Sequence, residues 1–138
     1  MIRQYGVIPY RSGADGGVEI LLITSRETRR WIVPRGNAIA GLAPPRSAAR
    51  EAYEEAGIDG PVGTEVIGLY RYDKRRPDGS IDEAEVLLFE MRVVRMLDAW
   101  PEQGERERRW FAWRDAAAAV TEADLAALIE AFARSREA

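Results

Sequence analysis

Residues 34–58, PRGNAIAGLAPPRSAAREAYEEAGI, constrain this chain more than any other stretch. Pro44 and Pro45 suit a first helical turn, where an amide hydrogen would go unused. Ala48, Ala49, Ala52, Tyr53 and Ala56 supply helix formers and an apolar stripe, and Gly57 is a natural stop. The pattern therefore predicts a helix that opens at the prolines and ends at Gly57. On it Glu51, Glu54 and Glu55 stand at i, i+3 and i+4, so their carboxylates are expected to converge on one patch.

Such a patch is unfavourable by itself. Like charges at this spacing repel, and carboxylates in a last turn face the negative end of the helix dipole, together a cost of ~1–2 kcal/mol. Arg50, beside Glu54, offsets only part of it. A divalent cation would resolve the conflict, and an all-oxygen donor set selects a hard one, Mg²⁺ or Mn²⁺. Glutamates on a helix are more often a solvated face. What separates this stretch from that case is glycine on both sides of the acidic turn, because at Gly36 the backbone can approach a ligand closely and direct its carbonyl at a metal.

Absences narrow the chemistry further. The chain has no cysteine and no histidine, which excludes disulfides, thiol nucleophiles, a serine–histidine triad and thiolate- or imidazole-bound zinc. Acid–base work near neutral pH falls to carboxylates, tyrosines, the lone Lys74 or a metal-bound water. A net charge of −3 argues against general nucleic-acid binding. Lys74 is the only lysine, and the remaining cations are arginines, whose forked guanidinium suits phosphate oxygens.

The stretch resembles the Nudix hydrolase signature: Gly, five residues, Glu, seven residues, Arg-Glu, an apolar residue, any residue, Glu-Glu, any residue, Gly, an apolar residue. Gly36, Arg50, Glu51, Ala52, Glu54, Glu55, Gly57 and Ile58 fall in register, and Leu42 replaces the first glutamate. Arg30-Trp31-Ile32-Val33-Pro34, Thr24-Ser25-Arg26, Trp100-Pro101-Glu102 and Arg109-Trp110-Phe111 are similar to the diphosphoinositol polyphosphate and diadenosine polyphosphate hydrolase branch. The resemblance implies an α/β fold, an α-β-α sandwich around a mixed sheet, and one Nudix domain over residues 1–138.

It also implies Mg²⁺- or Mn²⁺-dependent hydrolysis of a diphosphate linkage. Gly36, Glu51 and Glu55 are the expected metal ligands. Glu54 is the expected proton acceptor or further ligand, and Arg50 the residue that orients the glutamates. Arg26, Arg35, Lys74, Arg75, Arg76 and Arg106 are the cations expected to face substrate, with Glu102 and Glu105 as candidates for an additional acid. The substrates implied are a diphosphoinositol polyphosphate or a diadenosine polyphosphate, with other nucleoside diphosphate derivatives and an RNA 5′-triphosphate end left open. Because a leucine cannot ligate a metal, Leu42 leaves a second reading, a non-hydrolysing module that binds a phosphorylated ligand as a sensor.

Around the signature, strands are expected at residues 3–10, 18–24, 31–34, 62–72, 84–95 and 110–113, with a polar loop at 73–80. The run Val18 to Thr24, apolar almost throughout, reads as buried on both faces. A helix from the Thr121–Asp124 capping pattern onward carries Leu125, Leu128, Ile129 and Phe132 at i, i+3, i+4 and i+7. Tyr70, Tyr72, Trp100 and Trp110 are expected in the core or sheet rather than as a base clamp. At 138 residues, with 46% hydrophobic and 31% charged content, one soluble domain is expected. No apolar run approaches the ~20 residues needed to span a bilayer and no signal segment opens the chain, so the expectation is a cytoplasmic monomer or homodimer without a membrane partner.

Overall fold

Val18 to Thr24 is apolar on both faces because it lies inside a sheet covered on both sides. Ile20 and Leu22 enter one core, Leu21 and Ile23 the other, and all four are fully buried. The computed structural model describes residues 1–137. In order the chain forms β1 (Ile2–Ser12), β2 (Val18–Thr24), β3 (Trp31–Ile32), β4 (Arg35–Asn37), α1 (Pro44–Ala56), β5 (Ile58–Asp59), β6 (Gly68–Arg75), β7 (Ile81–Arg92), β8 (Arg95–Met96), β9 (Arg108–Ala112), α2 (Trp113–Ala119) and α3 (Ala123–Glu137).

Seven strands form one sheet in the order β3-β2-β1-β7-β6, with β4 also on β1 and β9 also on β2; β5 and β8 make a separate ribbon. The sheet is mixed, since β1 and β7 run parallel from Ile2↔Ala84 to Tyr10↔Arg92 and the other strand pairs are antiparallel. One face packs on α2 and α3 through Trp113, Leu125, Ile129 and Phe132. The other packs on α1 through Ala48, Ala52 and Ala56. The result is the expected α-β-α sandwich with a mixed sheet. No helix among the described residues is long and apolar enough to cross a membrane.

The departures from expectation have local causes. The strand expected to end at Pro9 continues to Ser12 because β1 changes partner there. Gln4–Gly6 pair with β4 and Tyr10–Ser12 with β2, so the proline's missing donor falls between the two ladders. The strand expected at 62–72 is β6, Gly68–Arg75; Lys74 and Arg75 belong to it rather than to a loop, paired with Asp82 and Ile81 across the hairpin. A backbone ladder does not require apolar side chains at a sheet edge. Trp113 opens α2 instead of closing a strand, as the alanine run after it favours. Asp124 closes no box with Thr121: its Oδ2 accepts the Arg71 amide at 2.9 Å, tying α3 to β6.

Candidate active site

Helix α1 begins and ends as its sequence dictates. Prolines occupy its first turn, and Gly57 terminates it at φ 64° with its amide donating to the Tyr53 carbonyl. Apart from Glu55, the buried residues of the helix are small, Ser47, Ala48, Ala52 and Ala56, which lets it lie close to the sheet. Its acidic turn consequently meets β4. A Cβ at Gly36 would fall 2.3 to 2.6 Å from the Glu51 carboxylate atoms. Glycine is required here because that carboxylate already occupies the space a side chain would need.

The C-terminal end of α1 is held from outside by residues 97–108. The Leu97 amide donates to the Gly57 carbonyl (2.8 Å) and the Glu102 amide to the Glu54 carbonyl (3.0 Å). The Arg108 guanidinium donates to the carbonyls of Ala56 (3.0 Å), Gly57 (3.1 Å) and Leu97 (2.8 Å) and lies 3.9 Å over the Trp100 ring. A fixed cation at a helix C-terminus satisfies open carbonyls and opposes the dipole. This binding brings Glu102 and Arg106 beside the helix.

Glu51, Glu55, Gly36, Glu102 and Arg106 line one cleft of about 760 Å³. Glu55 is buried: its Oε1 accepts the Arg35 amide at 3.0 Å and its Oε2 accepts from Arg106 at 3.3 Å. Burial pushes its carboxyl up to about 7, against the pull of Arg106 and the Arg35 amide. Glu51 is raised to about 7, first by burial and then by the charges of Glu54 and Glu102. Among the described residues no hydrogen bond reaches the Glu51 carboxylate from any donor, and no three acidic side chains stand close enough together to form a ready-made cation cage. The donors present, two strained carboxylates beside a glycine backbone, nevertheless have the all-oxygen chemistry that a hard divalent cation takes.

The other expected site residues divide. Arg26, Arg35, Lys74 and Arg75 line the same cleft, joined by Arg30. Lys74, Arg75 and Arg30 enter no ion pair among the described residues, whereas Arg26 pairs with Glu105 at 3.2 Å. Arg35 donates to the Tyr70 hydroxyl (2.9 Å) and lies 3.7 Å over the Tyr72 ring, with Tyr70 fully buried. Burial raises the Tyr70 phenol, opposed by Arg35.

Three of the expected site residues stand apart from this lining. Arg50 is exposed and, among the described residues, grips no glutamate; one residue before Glu51 on a helix, it is turned about 100° away, and Arg106 holds Glu55 instead. Arg76 lies outside the cleft lining because it pairs with Asp82 across the β6–β7 turn. Glu54 is half-buried beside the cleft rather than in its lining; its charge raises Glu51, and its carbonyl accepts the Glu102 amide. Leu42 is 38% exposed on the loop before α1. The Trp100–Arg108 clamp went unseen, since a cation stacked on a ring eight residues earlier leaves no periodic signal.

A family model described as NUDIX domain matches residues 3–132. Nudix hydrolase 12, mitochondrial, of Arabidopsis thaliana is 31% identical over 129 residues, covering 80% of this chain and 62% of that protein. Diphosphoinositol polyphosphate phosphohydrolase 3-alpha of Mus musculus is 34% identical over 101 residues, covering 71% of this chain and 57% of that one. The chain thus spans about 60% of the length of these curated relatives. Among solved structures, a C. elegans Ap4A hydrolase binary complex superposes with a TM-score of 0.73 at 20% identity, covering 99% of this chain and 98% of that one, a likeness of fold.

Proposed function

The chain belongs to the Nudix family, and from that premise we propose that its residues 1–138 form one pyrophosphohydrolase domain acting on a diphosphate linkage with Mg²⁺ or Mn²⁺. The observation that carries this is the placement of Glu51 against Gly36, with Glu55 beside them, in a cleft whose lining also includes Arg30, Lys74 and Arg75, which enter no ion pair among the described residues. Acidic oxygens and cations without carboxylate partners in one cleft suit a ligand that is itself anionic and bridged to the protein by a hard cation.

Glu51, the Gly36 carbonyl and Glu55 would hold the cation. Such an ion supplies charge neutralisation at the bridging phosphates and acidifies water. Arg30, Lys74 and Arg75 would take the non-reacting phosphate oxygens and fix the linkage against the acidic wall. Arg106 would keep Glu55 directed into the cleft. Glu54, expected as the proton acceptor or a further ligand, borders Glu51.

The substrate proposed is a small phosphorylated molecule, a diadenosine polyphosphate or a diphosphoinositol polyphosphate, and the setting proposed is the cytoplasm. The test is hydrolysis of a panel holding both compounds, simple nucleoside diphosphate derivatives and a 5′-triphosphate RNA, with Mg²⁺ or with a chelator, read by phosphate and mononucleotide release. Turnover that needs the metal and is lost in Glu51→Gln supports the reading. Ligand-induced thermal stabilisation with no turnover on any member would replace it with the binding module.

A further inference from the structure

Arg106 is largely enclosed in the cleft, with 7% of its side chain exposed, and each nitrogen of its guanidinium already donates to a protein oxygen. Nε reaches Glu102 Oε1 at 2.9 Å, Nη1 the Thr24 carbonyl at 3.2 Å and Nη2 Glu55 Oε2 at 3.3 Å. With three of its five N–H groups committed to protein oxygens, the guanidinium is first of all a partner of the protein's own groups. It lies between two carboxylates from separate parts of the chain, one on α1 and one on the 97–108 segment. Two partly buried acids facing each other without a cation would repel strongly, since water screens them poorly there.

Resting on the metal-dependent reading above, we propose that Arg106 is a built-in counter-ion. It fills the position between Glu55 and Glu102 that a second divalent cation would otherwise take, so the site holds a single ion at Glu51 and Gly36. Arg106 is thus a positioning residue. It keeps Glu102 out of the metal's coordination and leaves Glu55 only its remaining lone pairs to share. No three-acid cluster is present among the described residues, in keeping with a guanidinium standing between Glu55 and Glu102.

The test is Mn²⁺ titration of metal-free protein without substrate, by calorimetry and by the electron paramagnetic resonance of free Mn²⁺, with melting curves to confirm folding. Wild type should take up one equivalent. Arg106→Gln should gain a second, Arg106→Lys should stay at one because it keeps the charge, and Arg106→Gln combined with Glu102→Gln should return to one. Glu102→Gln alone should still bind one, a result available even if Arg106→Gln does not fold. Two equivalents in wild type, an unchanged count in folded Arg106→Gln, or loss of binding in Glu102→Gln would overturn the proposal. No binding by any protein would overturn it together with the metal reading. Absence of turnover with the binding pattern intact would fault the hydrolase alone.

Discussion

On one face of the sheet α3 buries Leu125, Ile129 and Phe132; on the other, α1 buries the small residues Ser47, Ala48, Ala52 and Ala56 together with Glu55. The first contact is thick, apolar and closed by aromatic packing such as Tyr10 against Phe132, with ring centroids 5.1 Å apart. The second is thin, and its thinness lets the Glu51 carboxylate touch the backbone at Gly36. Large side chains remove more apolar area from water and so contribute more stability. Small ones allow a helix to approach until its polar end meets another strand. The α3 face is therefore built for stability and the α1 face for proximity, and the carboxylates strained upward to about 7 all lie on the latter.

Substitutions can break this division, and the largest effect is expected at the acidic turn. Glu51→Gln should lower kcat by about 100-fold or more at saturating Mg²⁺ while leaving the melting temperature level or higher, since a repelling charge is removed. Next comes the thick face. Ile129→Ala should cost ~2–5 kcal/mol in denaturant unfolding and leave kcat per folded molecule unchanged. A smaller effect is expected at the point of contact: Gly36→Ala forces the Glu51 carboxylate aside, so Mn²⁺ affinity should fall about 10-fold with little change in fold by circular dichroism.

The smallest effect sharpens the comparison through pH. Glu51 and Glu55 titrate near 7 folded, against an ordinary 4.5, so the native state binds more protons than the unfolded chain between those values. Their contribution to stability is then fully present below about 4.5 and lost as pH rises through about 7. Metal-free protein should melt at a lower temperature at pH 8 than at pH 5.5, and Mg²⁺ should recover the difference at pH 8. A chelated sample whose melting temperature rises over that interval would show that these carboxylates are not the strained groups.

Much of this arrangement was legible in the chain because it is local. Helix α1, its proline start, its Gly57 stop and the register of Glu51 and Glu55 all follow from residues within one stretch, as does the two-sided burial of β2. What was not legible depends on distant partners. Pro9 sits mid-strand only because β1 exchanges β4 for β2 there, and Lys74 and Arg75 are in a strand only because β7 pairs with them. Arg50 and Arg106 both read as arginines near glutamates. Which of them grips Glu55 is decided by the path of residues 97–108 around the end of α1, fixed by Trp100 and Arg108.

Anomalous diffraction from crystals soaked in Mn²⁺ tests the account most directly. The account predicts one peak at about 2.0 to 2.2 Å from a Glu51 carboxylate oxygen and from the Gly36 carbonyl, with Glu55 adjoining it. Density elsewhere in the cleft, or Glu51 turned to solvent with no ion against Gly36 at saturating Mn²⁺, would contradict it.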